Sequence, residues 1–206
     1  DTEYDPDDTL YKGRTLRVVD ISDPANPTYK GSCGTPGYVR EIFVSGNYVY
    51  YLGYDYYGES GLEIISVTDP ENPAIVGPGV IMESPENVSV MGTYAYVTDY
   101  YNGLMVVDVT DPLNPAIVAT GDVVGSANGL FVSGALAYVG TTGSLQLIDI
   151  SDPENPENMA FSGACKTPGN AYGVFVSGDY AYVADGTAGL RVIDVSTPTN
   201  PFEAGF

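Results

Sequence analysis

Carboxylates and tyrosines are the residues with which this chain could do chemistry. Its 206 residues include 27 Asp or Glu and 18 Tyr, against 7 Lys or Arg and no His. Two carboxyl groups about 5–10 Å apart across a cleft could act as acid and base on a glycosidic bond. Glu41, Glu83 and Glu86 are the candidates for that role. Carboxylate and carbonyl oxygens in loops are also the ligands of Ca²⁺, and Asp55, Asp99 and Asp185 stand at corresponding points of three similar segments. Asp capping its own turn explains the same recurrence, and no EF-hand loop or nonapeptide run accompanies it. Tyr54, Tyr56, Tyr57, Tyr100 and Tyr101 cluster in loops. An exposed Tyr, apolar in its ring and polar at its hydroxyl, suits contacts with proteins or sugars; ordinary packing between long loops is the alternative.

The missing residues exclude as much as the present ones suggest. Without His there is no Ser-His-Asp or Cys-His catalysis and no imidazole ligand for zinc. A net charge of −20 opposes phosphate, so nucleic acid and anionic membrane are poor partners. The composition, 44% hydrophobic and 17% charged, is that of a folding chain. No stretch approaches the roughly 20 apolar residues of a membrane span. The first residues show neither the basic nor the apolar region of a secretion signal, so a mature chain or a fragment is expected. Abundant Tyr, Gly and Pro with few Lys point to an extracellular or cell-surface setting.

The elements that must position these residues come from a repeat. Asp-Pro-x-Asn-Pro occurs at Asp23–Pro27, Asp69–Pro73, Asp111–Pro115 and Asp152–Pro156, with a degenerate copy at Thr197–Pro201; the spacings are 46, 42, 41 and 45 residues. Gly and Pro interrupt each repeat every 8 to 12 residues, which leaves room for short strands but not for helices. Each repeat reads as four strands. The first is apolar: Ile42–Val44, Val88–Val90, Leu130–Val132, Val174–Val176. A two-residue turn opened by Gly46, Gly92, Gly134 or Gly178 leads to the second, Tyr48–Tyr50, Tyr94–Tyr96, Leu136–Tyr138 or Tyr180–Tyr182. The third is Leu16–Val19, Leu62–Ile65, Leu104–Val107, Leu145–Ile148 or Leu190–Ile193. Its consecutive apolar residues imply cover on both faces, as when sheets stack radially on one another. The Asp-Pro-x-Asn-Pro turn feeds a fourth strand, whose leading Pro helps blunt an exposed edge.

The segments Leu16–Ile21, Leu104–Val109, Leu145–Ile150 and Leu190–Val195 resemble the repeat of LVIVD-repeat proteins, β-propellers of bacterial and archaeal surface and secreted proteins. The resemblance runs through essentially the whole chain. It implies an all-β propeller of four-stranded antiparallel blades and no shared catalytic motif. Ser66 departs from the pattern, where the other copies carry Asp20, Asp108, Asp149 and Asp194; the loss of one turn hydrogen bond is expected there.

Full blades are expected at about 38–80, 84–121, 126–163 and 170–206, with a partial blade at 13–33 that holds only a third and a fourth strand, five blades in all. Residues 1–12 form an acidic segment without strand pattern. The half-built blade leaves three options open: a longer protein, completion by another copy through strand addition, or a four-bladed ring with an appended hairpin.

Within a propeller, Arg40, Glu86, Asn128 and Tyr172 share one column, two residues before each inner strand. They are expected to ring the mouth of the central channel, as binding residues or as a solvated rim, with Arg40 and Glu86 able to pair. Cys33 and Cys165 share another column, in Gly-x-Cys-x-Thr-Pro-Gly, at the start of a fourth-to-first loop. A disulfide between them requires Cα atoms within about 7 Å. The sequon Asn87-Val88-Ser89 falls at an inner strand, where a glycan would be crowded. The expected function is non-catalytic: a structural or interaction module that binds other copies, other surface proteins or glycans, with no cofactor required. A glycoside hydrolase is the contrasting reading, weakened because Glu41, Glu83 and Glu86 have no counterpart in the later repeats.

Overall fold

The computed structural model describes residues 15–55, 58–152, 155 and 158–206, with the backbone alone of Asp55. The acidic segment 1–12, Tyr56 and Tyr57 lie outside the described residues. Among the described residues, seventeen strands form five antiparallel sheets in chain order. The first sheet pairs β1 (Thr15–Asp20) with β2 (Thr28–Gly34). The second comprises β3 (Gly37–Ser45), β4 (Tyr48–Asp55), β5 (Ser60–Ser66) and β6 (Ala74–Met82). The third holds β7 (Pro85–Met91), β8 (Tyr94–Asp99), β9 (Gly103–Asp108) and β10 (Ala116–Gly121). The fourth is built from β11 (Ala127–Ser133), β12 (Leu136–Asp149) and β13 (Ala160–Asn170), the fifth from β14 (Gly173–Ser177), β15 (Tyr180–Ala184), β16 (Leu190–Asp194) and β17 (Phe202–Gly205). This is the blade pattern of a β-propeller, with four full blades and one of two strands.

The turns follow from their residues. Gly46, Gly92, Gly134 and Gly178 open the first hairpin of each full blade at φ 56°, 62°, 57° and 58°, the left-handed region that a tight two-residue turn demands. In the Asp-Pro-x-Asn-Pro turn, Asp69 accepts hydrogen bonds from the Glu71 backbone N–H (3.0 Å) and the Asn72 side-chain amide (2.8 Å). Asp23 and Asp111 do the same with Ala25 and Asn26, and with Leu113 and Asn114. The Asp that ends the third strand caps the next turn: Asp20, Asp108, Asp149 and Asp194 each accept from the N–H two residues on, at 2.8–2.9 Å. Ser66 keeps that bond, weakened rather than lost, from Thr68 N–H at 3.4 Å.

Two strand assignments change. In the fourth blade the second and third strands are continuous as β12; residues 136–141 pair with β11 and residues 142–149 with β13. The link Thr141–Ser144 is shorter than the loops of the other blades and stays within the ladder. Cys33 and Cys165 lie inside β2 and β13, not in loops beyond them. Each sheet also carries a register shift between its third and fourth strands, as at Leu62/Ile64 and Val192/Ile193, so a bulge recurs with the repeat.

The core lies between sheets. Tyr50, Leu62 and Ile64 of the second sheet cluster with Val88, Val90, Ala95, Val97 and Val107 of the third. Tyr96, Leu104 and Val106 of the third meet Ala137, Val139 and Ile148 of the fourth. Tyr138, Leu145 and Leu147 of the fourth meet Ala181, Val183 and Ile193 of the fifth. Leu16 and Cys33 of the first sheet pack on Val49, Tyr51 and Ile65 of the second. The Tyr/Leu face of each sheet thus sits on the Ala/Val/Ile face of the next, which is why the third strands needed apolar residues on both faces.

Candidate functional site

The inner ends of the blades bring only part of the predicted rim together. Arg40 of β3 and Glu86 of β7 form an ion pair and hydrogen bond that bridges the second and third sheets. Burial pushes the Glu86 carboxyl up and the Arg40 guanidinium opposes it. Asn128 is not part of an open rim. It is 6% exposed, its side-chain amide donates to Ser126 O (3.0 Å), and its backbone carbonyl accepts from the Asn87 side-chain amide and from Thr98 Oγ1 (3.1 Å). The bonds from Asn87 and Thr98 tie the third sheet to the fourth through the Asn128 backbone, and the Asn128 side chain is held by Ser126. Asn87 of the sequon is occupied in the same way. Tyr172 is exposed, with its hydroxyl accepting from the Asn170 amide at 3.2 Å.

The loop tyrosines divide into two pairs. Tyr100 and Tyr101 are exposed and meet edge to face, with ring centroids 5.0 Å apart. Tyr54 packs on Tyr38, centroids 5.2 Å apart at 34°. The Tyr38–Tyr54 pair borders a depression of ≈ 180 Å³ whose wall also includes Tyr51, Glu63, Pro78 and Ile81. Its floor is shaped by Gly53 and Gly61, which face each other across β4 and β5. The Tyr51 hydroxyl is buried and makes no hydrogen bond among the described residues. Burial first, then the neighbouring Glu63 and Cys33, pushes that hydroxyl well above its ordinary range. Glu63 is itself pushed up by burial. Of these residues only Tyr54 was a candidate from sequence. The others stand in strands, and the glycine pair that opens the depression is visible only once the register is known.

The recurrent aspartates serve the loops. Asp99, fully buried, accepts from the N–H groups of Ser84 (2.7 Å), Tyr101 (3.0 Å) and Asn102 (2.9 Å). Asp185, also fully buried, accepts from Thr167 Oγ1 (2.7 Å) and Gly169 N–H (2.8 Å). Their oxygens accept from protein donors, as turn caps do. Among the described residues no group of three or more Asp, Glu or Cys gathers as metal ligands would. Of the acid–base candidates, Glu86 is held by Arg40, Glu83 is exposed and accepts from the Asn102 amide at 3.3 Å, and Glu41 is half-buried, with its carboxyl pushed up by burial. The two cysteines do not meet. Both thiols are free, Cys33 against the second sheet and Cys165 in the core between the fourth and fifth.

Solved structures with the same blade pattern include the computationally designed Ika8 protein (9% identity, TM-score 0.62, covering 83% of this chain and 50% of that one). The computationally designed Ika4 protein is similar over 77% of this chain and 92% of its own (10%, TM-score 0.56). A functionally unknown protein from Desulfotomaculum acetoxidans DSM 771 is similar over 89% and 76% (10%, TM-score 0.59). This chain spans about half the length of the Ika8 structure. At such identities the likeness is one of fold. No curated protein matches the sequence. The model of the LVIVD repeat matches five times in succession, at residues 11–35, 36–78, 84–122, 124–167 and 168–206. The match reaches all five sheets, and the chain belongs to the LVIVD repeat family.

Proposed function

We propose that this chain is a non-catalytic interaction module of the cell surface or extracellular space, and that its partner completes the half-built first blade. One observation carries the reading. Ile42 and Val44 of β3 are exposed, while Val88 and Val90, at the same place in β7, are buried against the preceding sheet. The strands that should cover Ile42 and Val44 are the inner pair of the first blade, and among the described residues β1 pairs only with β2. An unpaired edge beside bare apolar side chains favours strand addition, in which backbone bonds give affinity and side-chain pockets give selectivity. The composition supports a surface or secreted setting, and no residue requires catalysis or a cofactor to explain it.

The test is a synthetic hairpin of residues 171–185, which carries β14 and β15. It should bind the chain saturably and protect β1 amides from hydrogen exchange. Absence of both effects removes the reading. A second reading, glycan binding, is favoured by the tyrosine-bordered depression with its unbonded Tyr51 hydroxyl. A glycan array decides it: a specific hit lost in Tyr54→Ala supports a lectin. The glycoside hydrolase reading would need turnover of a polysaccharide that is lost on Glu86→Gln.

A further inference from the structure

Every sheet-to-sheet contact in this molecule has a direction, and the direction leaves two different ends. At the C-terminal end, the Tyr/Leu face of the fifth sheet has no sheet on it. Leu190 is 57% exposed where Leu104 is 0%, and Tyr182 is 38% exposed where Tyr96 is 1%. Phe202 and Tyr180 extend the same bare face. At the N-terminal end, the complementary face is bare. Ile21 is 69% exposed where Val109, Ile150 and Val195 are each 4%. Val19 is exposed as well, where Ile65, Val107, Ile148 and Ile193 are buried. The first and fifth sheets share no comparable contact among the described residues.

The glycines of the fourth strands show independently what belongs on the C-terminal face. A Cβ on Gly31 would stand 2.6 Å from the carbonyl oxygens of Pro70 and Glu71. One on Gly77 would stand 2.8 Å from those of Pro112 and Leu113. In both cases the Asp-Pro-x-Asn-Pro turn of the next sheet rests on the glycine. Gly205, the same position in the fifth sheet, meets only Val192 Cβ, at 4.0 Å. Gly163 lies under the Thr197–Pro201 turn in the same way, where a Cβ would stand 2.4 Å from Pro198 O, while Ala119 takes this place in the third sheet. The Asp23–Pro27 turn, at the N-terminal end, is fully exposed.

We propose that the β14–β17 face docks the N-terminal sheet of a second copy head to tail, with the partner's Asp-Pro-Ala-Asn-Pro turn seated on Gly205 and its Ile21 and Val19 against Tyr182 and Leu190. The interface is the intramolecular one repeated between chains. It is heterologous, so it builds rings or open chains rather than a two-fold dimer. The inference rests on the reading of the chain as an association module, but uses a sheet face and not the β1 edge. Four strands about 4.8 Å apart and about five residues long give the face roughly 300 Å² in plan. A face of one four-stranded sheet is small beside the interfaces of stable complexes, so the association is weak and concentration-dependent.

Sedimentation velocity tests it at about 150 mM salt, where charge repulsion between copies is screened beyond about 8 Å. The wild type should pass from monomer to larger species as its concentration is raised, as a small interface requires. Gly205→Val blocks one end and Ile21→Glu the other, each at an unpacked position, so each alone should stay monomeric. Mixed, they should form a dimer and nothing larger, because each supplies the end that the other lacks. Tyr182→Glu with Val19→Glu repeats the scheme if either first variant fails to fold by circular dichroism, and Asn47→Glu controls for added charge. A wild type monomeric throughout overturns the proposal, as it should be if the ends are covered by further repeats of a longer chain. Association of Ile21→Glu alone also overturns it, because it marks a two-fold contact between C-terminal faces. Binding of the 171–185 hairpin is read separately, and its loss or retention leaves this result standing.

Discussion

The backbone of Glu71 rests on Gly31: a Cβ at residue 31 would lie 2.6 Å from the Glu71 carbonyl oxygen. This contact between the first and second sheets returns between the second and third as Leu113 on Gly77. It sets how closely these two pairs of blades approach, because a side chain there would meet the turn backbone; the third sheet carries Ala119 at this place.

Gly31→Ala is therefore expected to destabilise the fold by about 1–3 kcal/mol, the cost of overpacking a contact whose neighbour is backbone. Gly205→Ala should change stability by no more than about 0.5 kcal/mol, as an open surface position does. Denaturant melts of the two variants measure the difference. Equal effects would show that the turn does not bear on Gly31.

The same logic applies to a repeated leucine. Leu104→Ala removes a fully buried side chain between sheets and should cost about 2–5 kcal/mol. Leu190→Ala, at the same repeat position on the bare face, should cost under about 1 kcal/mol in dilute solution. Thermal melts at low protein concentration read both.

Asp99→Ala deprives the N–H groups of Ser84, Tyr101 and Asn102 of their acceptor. Several donors left without a partner in a buried loop should cost about 2–4 kcal/mol. Asp99→Asn, which keeps one carbonyl oxygen, should recover part of that. Added Ca²⁺ should leave the melting temperature of the parent chain unchanged, since the carboxylate is already occupied; a rise of several degrees would reopen the cation reading.

Stability should pass through a maximum below neutral pH. Asp23, Asp69 and Asp111 are held below the ordinary carboxylate value by the Asn amide of the turn and then by backbone N–H groups; Asp149 and Asp194 are held there by serine. Each binds fewer protons folded than unfolded, so its contribution is full above the unfolded value and is lost as pH falls through the lower folded one. Glu41, Glu63 and Glu86 are raised by burial and have the opposite sign: they oppose folding when ionised, and that penalty is relieved as pH falls through their folded values. Protonation also eases the repulsion of a chain carrying −20. Melting temperature should rise from pH 7 to about 5 and fall below about 4. A monotonic fall on acidification would show that the burial of the three glutamates matters less than their surroundings imply.

Much of this molecule is legible in single residues. Gly46, Gly92, Gly134 and Gly178 announced their hairpins because only glycine enters that turn without strain, and the Asp-Pro-x-Asn-Pro turn announced itself because its bonds are local. The Arg40–Glu86 pair was visible because the repeat frame places two opposite charges on adjacent blades. The site was less legible. Asn128 shares a column with Arg40, yet it is buried in the sheet contact, where its backbone carbonyl accepts from Thr98, a partner 30 residues away in sequence. The tyrosine-bordered depression depends on Gly53 facing Gly61, a matter of register that neither residue states alone. Cys33 and Cys165 share a repeat column and never meet, because equivalence in a repeat places residues on different blades.

The sequence by itself determined the blade, its turns and the number of repeats, because those follow from backbone preferences and from hydrogen bonds that span a few residues. Only the tertiary structure decided which faces are satisfied. Leu104 and Leu190 are the same residue in the same frame, and one is sealed while the other stands open. The difference lies in whether a neighbouring sheet is present, and burial between sheets is a property of the stack, not of the strand.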